Sequence, residues 1–502
     1  MTILLSLLFP ILGFILQTYT RLFNKSFGVD VWTRLLETDH VRENNHKIPG
    51  KIAGQFIIEG YFDYPPVFPW LLSFFPKKLV ERYQGVVAPF FDLLNNTLIF
   101  WIAFYFTQSI EVALFSQLIY TLTPVIALEN SSLTPRSLGY LNFNLAFMSS
   151  LLWVYTGNIW FLTSSVVFTT LIFLSHRFAM QSLLFLSIFF SIYQKNPFYI
   201  GVFILGFVLA TVTTKGYYLK VLKGHLYNIY FWIPNRMYRF AHQIRGLQNS
   251  NKKKDFVELV YTLLSKFAPI TLIGTNFWVI SAFVILFVNI FYLSFLPLSP
   301  IRFINDFSAW VLFFYFLGIP ILMLTYLRCI GEGYRYLEMA ALPTSIISSW
   351  IFFQLLVTPL GSLAVIGYGV MLALNLGLIL SVHRTIIKDR NRSITSDMTN
   401  VFDFLNNQKE DYRILCIPHQ NTTNVIYHTK HKVFVNADNP GLLPISVVYP
   451  IIKWPLTDTI EKYQLNLILL KESFAKIEEL KLKSCREIFR SGDIVLLAVK
   501  GL

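Results

Sequence analysis

Apolar segments alternate with short polar turns along most of the first 381 residues. Segments of about 20 apolar residues are typical of helices that cross a bilayer, and somewhat shorter ones fit tilted or re-entrant helices. One further apolar run, residues 67–75, is too short to span and is predicted to lie half-buried at the membrane face, bent by the prolines around it. The predicted spans are residues 2–18, 87–106, 110–128, 138–156, 160–174, 178–193, 197–213, 272–296, 307–327, 346–357 and 361–381.

The first polar loop, residues 28–76, interrupts this pattern with many Asp, Glu, His, Arg and Lys residues. Long loops between spans are frequent places for the chemistry of a membrane protein. Asp30 is the first carboxylate after the first span, which makes it a candidate general base. A solvated acid at the start of a helix is the simpler interpretation. Further acids follow at Glu59 and Asp63, the second within the run DYPP.

Two later polar turns carry paired charges. The turn ENSSLTPRSLG contains Glu129 and Arg136, and we expect it on the same membrane face as the first loop because two spans separate them. The segment RCIGEGYRYLEMAALP contains Glu332 and Arg335, whose spacing of three places them on one helix face, where they can pair. Capped helix ends and a structural ion pair are the simpler interpretations of these two turns.

Residues 215–255 form an aromatic and basic stretch, and apolar positions in residues 256–267 gather largely on one helical face. This pattern predicts an amphipathic segment on the membrane surface. It is consistent either with a loop that binds anionic lipid or with a dock for a lipid phosphate.

The composition changes after His383. A polar linker is followed by short apolar runs, YRILCIP, KHKVFVN, LNLILLK and DIVLLAVK, that predict buried strands, with helical pieces at NVFDFLNNQ and SFAKIEELKLK. The predicted fold class is therefore an α-helical polytopic membrane protein with a small C-terminal α/β domain. We place the membrane domain at residues 1–383, with its first outer loop at 20–86, and the soluble domain at 384–502.

Composition supports this class. The 502 residues are 54% hydrophobic and 14% charged, whereas soluble domains carry about a quarter charged residues. The net charge of +14 predicts contact with anionic membrane lipids or a lipid-linked phosphate, and not with nucleic acid. The three cysteines lack the spacing of a zinc site or a disulfide framework. No cofactor is predicted, although His40 and His46 could bind a divalent metal; solvated polar residues are the simpler interpretation.

The order of motifs in the first loop resembles the GT-C superfamily of glycosyltransferases that use polyprenyl-phosphate donors. An early Asp, a polar helix ending in KIP, the DYPP run and LLSFFP carry the likeness, and the later G-E-x-x-R-Y run resembles a second motif. Some related sequences carry His four residues after the Asp, where this chain has Arg34. This departure argues against a His-assisted variant of the mechanism.

The resemblance implies an inverting sugar transfer from a polyprenyl-phosphate donor to an unknown acceptor (glycan, lipid or protein) at the outer face of the cell membrane. Asp30 would be the general base. An arginine would grip the leaving phosphate through charge-assisted bonds. The candidate substrate-binding residues are Arg34, Glu59, Asp63, Tyr64, Glu129, Arg136, Glu332 and Arg335.

Two other classes stay open. A lipid or solute transporter or flippase would need charged residues deep within spans, or broken helices in repeated halves. The charges within predicted spans, Asp92 and Glu111, fall near span ends, and no internal repeat is evident. The other alternative is a non-catalytic membrane subunit that binds partners through its C-terminal domain.

Overall fold

Helices make up most of the chain. A computed structural model describes residues 2–236, 263–291, 301–435, 449–450 and 456–499, without residues 29, 53, 131, 264, 481 and 483. The described residues group into two units. The helical unit comprises residues 1–25, 83–218 and 264–388, and the mixed unit comprises residues 26–82, 219–263 and 389–502. The domain division that we predicted between residues 383 and 384 stays a prediction.

The helical unit is built almost entirely from apolar helices. Two short 3-10 helices, Thr325–Ile330 and Gly333–Glu338, follow the helix Arg302–Met323. The α-helices, including two that extend into the mixed unit, are Thr2–Leu5, Leu8–Phe23, Lys77–Thr107, Ile110–Thr121, Pro124–Glu129, Arg136–Thr156, Ile159–Ser175, Arg177–Tyr193, Phe198–Thr213, Tyr217–Asn235, Ala268–Thr275, Val279–Phe291, Arg302–Met323, Ala341–Leu356 and Gly361–Lys388.

Among the described residues, four helical stretches are long and apolar enough to cross a membrane. Two further helix pairs, bent by 119° and 114°, bring the number to six if each pair counts as one span. The fold class is therefore confirmed as a polytopic helical membrane protein with a small C-terminal sheet region. The four stretches are Thr2–Phe23, Lys77–Thr107, Arg302–Met323 and Gly361–Lys388.

The predicted spans are not all single helices, and two of them break at identifiable residues. The span predicted at residues 110–128 is broken after Thr121, and a new helix starts at Pro124, whose ring cannot donate a backbone hydrogen bond. The span predicted at residues 272–296 is bent at Asn276, whose side-chain oxygen accepts the amide of Trp278 at 3.2 Å. A polar side chain that bonds nearby backbone competes with the helix and ends it.

Aromatic side chains fill the core of the helical unit. Trp310 is fully buried and lies edge-on to Phe147, with ring centroids 4.7 Å apart. Phe147 also contacts the rings of Phe190 and Tyr199. Edge-to-face pairs of this kind each add about 0.5–1.5 kcal/mol beyond the burial of their area. The helices Arg136–Thr156 and Arg302–Met323 are held together by this cluster.

The mixed unit contains a five-stranded sheet. Its order is Lys432–Val433, Arg413–Ile417, Leu467–Lys471, Ile494–Val499 and Cys485–Ser491. The first three strands are parallel, and the last two pair antiparallel. Each of the four predicted runs, YRILCIP, KHKVFVN, LNLILLK and DIVLLAVK, contains a strand. The strand Cys485–Ser491 was not predicted, because its side chains are half-buried or exposed and its apolar residues do not form a continuous run.

Helices and a short hairpin complete the mixed unit. Part of the first loop extends the sheet, since the amides of Ile57 and Ile58 donate to the carbonyls of Val433 and Phe434 at 2.8 and 3.1 Å. The first polar loop and the C-terminal sheet therefore share backbone hydrogen bonds. The other elements are the helices Asp30–Glu43, Val67–Ser73, Ser396–Asn406, Thr422–His428 and Leu456–Tyr463, the 3-10 helices His419–Asn421 and Ile477–Leu480, and the paired strands Lys51–Ile52 and Gly60–Tyr61.

Some sequence predictions lie outside the described residues. They include the basic stretch after residue 236, most of the amphipathic segment 256–267, and the end of the span predicted at 272–296. The side chain of Glu129 is also outside them, although its backbone ends the helix Pro124–Glu129.

Candidate functional site

Asp30 is the first residue of the helix Asp30–Glu43, and its side chain is exposed. Just before it, Gly28 adopts a φ of +118°, which favours glycine, and its amide donates to the carbonyl of Arg392 at 2.8 Å. This turn leads directly into the helix Asp30–Glu43. An acidic side chain in the first helical turn interacts favourably with the helix dipole. Asp30 is thus an accessible carboxyl group at a fixed helix start.

Arg34 is buried one turn further along this helix. Its Nη1 donates to Glu37 Oε2 at 2.6 Å, and its guanidinium lies over the ring of Tyr64, 3.7 Å from the centroid. Asp63 is buried in the same loop, with 4% of its surface exposed. The structure therefore brings Arg34 and Tyr64 into direct contact through a cation–π stack, which holds the DYPP run against the helix. Their predicted role in substrate binding stays a prediction.

Glu59 is in a different environment. Its carboxylate lies 3.5 Å from Lys51 Nζ, and about half of each side chain is exposed. An exposed ion pair contributes only about 0–1 kcal/mol to stability. Glu59 therefore has a mainly solvent-facing position on the hairpin formed by Lys51–Ile52 and Gly60–Tyr61.

The two histidines of the loop have protein partners. His40 Nε2 bonds Gln55 Oε1 at 3.1 Å, and His46 Nδ1 bonds Ser73 Oγ at 2.9 Å while its ring stacks on Phe74. Among the described residues, no group of three or more His, Cys, Asp or Glu side chains could hold a metal ion.

Trp32, two residues after Asp30, packs against the C-terminal part of the mixed unit. Its ring centroid is 5.4 Å from that of Tyr427 and 4.6 Å from that of His428. Phe402 stacks on the other side of His428 at 4.9 Å. Burial between these rings lowers the pKa of His428 to about 4, so the imidazole is neutral at pH 7. The C-terminal part of the mixed unit therefore packs against the start of the Asp30 helix.

This packing predicts an acid-sensitive mixed unit. An unfolded histidine binds a proton below its ordinary pKa of about 6.5, whereas folded His428 binds one only near pH 4. Stability should therefore fall as pH falls between these values, by about 2 kcal/mol after allowance for partial exposure. Thermal melts at several pH values should show a flatter slope for His428→Gln. His46→Gln, as a control, should keep the wild-type slope, and an unchanged slope in His428→Gln would disprove the assignment.

The helical unit brings Arg136 together with the late polar turn. Arg136 Nη1 lies 3.9 Å from Glu338 Oε1, and Arg335 Nε lies 3.9 Å from the same oxygen. Arg335 Nη1 is also 3.8 Å from Glu332 Oε2, which accepts the hydroxyl of Tyr334 at 3.0 Å. We call Arg136, Glu332, Arg335 and Glu338 the arginine cluster. Both glutamates are buried, and each arginine side chain is about one-sixth exposed.

Close packing holds the turn that carries this cluster. A Cβ on Gly333 would lie 2.4 Å from the carbonyl oxygen of Gly318, so only glycine permits this approach of the turn to the helix Arg302–Met323. Gly331 adopts a φ of +136°, and Gln181 Nε2 donates to the carbonyl of Ile330 at 2.7 Å. The guanidinium of Arg335 lies over the ring of Phe178, 4.8 Å from its centroid. The turn is a 3-10 helix with Glu332 just before it.

Glu338 is the residue of this cluster that the sequence analysis missed. It is three residues after Arg335 and six after Glu332, which was the available signal. Sequence alone gave no reason to connect it with Arg136, which belongs to a different helix.

Asp92 differs from the sequence expectation, which placed it near a span end. It lies well inside the helix Lys77–Thr107 and is buried. Gln17 Nε2 donates to its Oδ2 and the hydroxyl of Tyr120 donates to its Oδ1, both at 2.6 Å. Asn95 donates to the Tyr120 hydroxyl at 2.7 Å. The carboxyl group is tolerated there because the neighbouring helices supply hydrogen bonds.

Comparison with known proteins identifies the fold. The archaeal oligosaccharyltransferase AglB from Archaeoglobus fulgidus, in complex with an inhibitory peptide and a dolichol-phosphate, matches with a TM-score of 0.57 at 10% identity, over 93% of this chain and 69% of that one. ArnT from Cupriavidus metallidurans, bound to undecaprenyl phosphate, matches with a TM-score of 0.55 at 12% identity, over 98% and 97%. No protein-family model and no curated protein matches the sequence.

These likenesses define the class of fold. The chain has a GT-C-like fold, as the motif order of its first loop predicted. The likeness to ArnT extends over nearly the whole of both chains, so it includes the C-terminal region as well as the helices.

Proposed function

We propose that this protein is a membrane glycosyltransferase that takes a sugar from a polyprenyl-phosphate-linked donor. The observation that carries the proposal is the arginine cluster, a set of two partly exposed arginines and two buried glutamates. It lies on a GT-C-like fold whose similar structures were solved with dolichol-phosphate and undecaprenyl phosphate. Charges are costly near a membrane, so a pair of arginines that is only about one-sixth exposed is a reason to expect an anionic ligand.

In the proposed reaction, Asp30 takes the proton of an acceptor hydroxyl as the oxygen attacks the anomeric carbon of the donor sugar. The bond between that carbon and the phosphate oxygen breaks, and the polyprenyl phosphate leaves with one additional negative charge. Attack opposite the leaving group inverts the configuration. Arg136 and Arg335 bind the phosphate and stabilise the charge that develops on it. The proposed setting is the outer face of the cell membrane, with a glycan, lipid or protein as acceptor.

The remaining candidate residues have supporting roles in this proposal. Arg34, Asp63 and Tyr64 shape the loop beside the Asp30 helix and contribute to substrate binding. Glu59 is exposed and would contact the acceptor only at the rim of a site. Glu332 pairs with Arg335 and orients it. Glu129 is the last residue of the helix Pro124–Glu129, which precedes Arg136 in the chain.

A second candidate function is transport of a lipid or solute. The buried, hydrogen-bonded Asp92 and the two sharply bent helix pairs favour it, because broken helices and intramembrane carboxylates are frequent in transporters. A non-catalytic subunit has no specific support among the described contacts.

Reconstituted protein separates these functions. Purified protein in liposomes with a radiolabelled undecaprenyl-phosphate sugar should release the sugar to acceptors in a membrane extract and leave undecaprenyl phosphate as product. A transporter would instead move the labelled lipid between leaflets with its sugar bond intact. If the donor stays intact after prolonged incubation with the acceptors in the extract, and the labelled lipid exchanges between leaflets, the glycosyltransferase proposal is rejected.

A further inference from the structure

Glu338 has an unusual position within the arginine cluster. Its side chain is fully buried, and the nearest nitrogen atoms of Arg136 and Arg335 both lie 3.9 Å from its Oε1. Within the described part of the chain, neither of its carboxyl oxygens accepts a hydrogen bond. A separation of 3.9 Å is too long for a hydrogen bond, so the arginines act on this carboxyl only through their charge.

Two opposing effects act on its proton. Removal from water disfavours the charged carboxylate, and the neighbouring guanidinium groups favour it. Burial is the larger effect and raises the pKa of Glu338 to about 8, while Arg136 lowers it. The carboxyl group therefore exchanges its proton in a range close to physiological pH.

The charge of the cluster depends on this proton. Two arginines and an ionised Glu332 leave one positive charge when Glu338 is neutral. Ionised Glu338 cancels that charge, and it places a negative group beside the nitrogen atoms that would bind a phosphate. A phosphate and an ionised carboxylate next to the same arginines would repel each other strongly in a buried site.

We infer that Glu338 determines whether the arginine cluster binds a phosphate: the protonated residue permits binding, and the ionised residue prevents it. The inference rests on the proposed function, because it concerns the same phosphate site. It makes Glu338 a determinant of donor affinity that acts through Arg136 and Arg335, and it predicts that binding at alkaline pH takes up a proton.

Other ionisable groups lie on the elements around Glu338, so the variant Glu338→Gln is the comparison that assigns the pH dependence to this residue. Arginine stays charged at all pH values of interest. Burial keeps the pKa of Tyr334 above its usual range. The turn also packs against the helices Pro124–Glu129 and Arg302–Met323, and against Ala268–Thr275, which has no ionisable side chain. The ionisable residues of the first two helices are Glu129, Arg302, Asp306 and Tyr315, and Glu332 and Tyr120 also lie near Glu338. Asp306 accepts hydrogen bonds from Tyr155 and Gln194, and Tyr315 donates to the carbonyl of Pro269.

Binding of undecaprenyl phosphate to the full chain in nanodiscs of neutral lipid tests the inference. Between about pH 7.5 and pH 9.5 a phosphate monoester is already fully ionised, so its own titration does not contribute. Wild-type affinity should weaken by up to about tenfold per pH unit above the pKa of Glu338. Glu338→Gln, which is neutral and of similar shape, should bind tightly over the whole range.

A matched control and a second measurement complete the test. Glu111→Gln removes an exposed acid from the start of another helix and should keep the wild-type pH dependence. Calorimetry near pH 9 in buffers of different ionisation enthalpy should show uptake of up to about one proton by wild type. Wild-type binding without pH dependence or proton uptake would overturn the role of Glu338 and leave the proposed phosphate site standing. Absence of binding at every pH would overturn the proposed phosphate site, and this inference with it.

Discussion

Asp30→Asn should lower the rate of sugar transfer by about 10²- to 10⁴-fold, which is the usual contribution of a general base. The amide has nearly the shape of the carboxylate but cannot accept the proton of the acceptor. Because Asp30 is exposed at a helix start, the fold should be little affected. Loss of the favourable interaction with the helix dipole costs only about 0.3–1 kcal/mol. The measurements are initial rates with saturating donor and thermal melts of the same preparations.

The control is Glu43→Gln, which removes an exposed acid from the last position of the same helix. It should keep wild-type turnover. Normal turnover in Asp30→Asn would leave Asp30 as a solvated acid and remove the assigned base. Donor binding should survive in Asp30→Asn, since the phosphate is assigned to the arginines.

Arg335→Ala should raise the donor concentration needed for half-maximal rate by about 10- to 100-fold, because a hydrogen bond to a charged group is worth about 1.5–3 kcal/mol. Arg335→Lys should restore only part of the affinity, since an ammonium group keeps the charge but loses the planar fork of donors. A donor titration in nanodiscs measures both effects. Arg302→Ala, an exposed arginine at the start of the helix Arg302–Met323, should leave the titration unchanged.

Stability measurements distinguish this role from a structural one. Arg335 lies near both Glu332 and Glu338 and stacks on Phe178. If these contacts served only the fold, Glu332→Gln and Arg335→Ala should lower the melting temperature by similar amounts. A folded Arg335→Ala variant with wild-type donor dependence would exclude the phosphate contact.

The sequence by itself determined the class of the fold. Apolar runs predicted the spans, and a change of pattern after His383 predicted the small sheet, because helices and strands have different periods of hydrophobic residues. The polar first loop and its motif order predicted Asp30 as the candidate general base. The breaks after Thr121 and at Asn276 were missed, since single polar or proline residues within an apolar run can be tolerated in a span.

The tertiary structure decided which charges meet. It placed Glu338 between Arg136 and Arg335, and it packed His428 against Trp32 near the start of the Asp30 helix. Arg136 and Glu338 are far apart in the sequence, as are Trp32 and His428, so these two contacts depend on how helices and strands pack against each other. Local periodicity reports which face of an element is buried, but not which distant side chain it will face. Burial and charge at a site arise from that packing, and so does the chemistry that we propose for it.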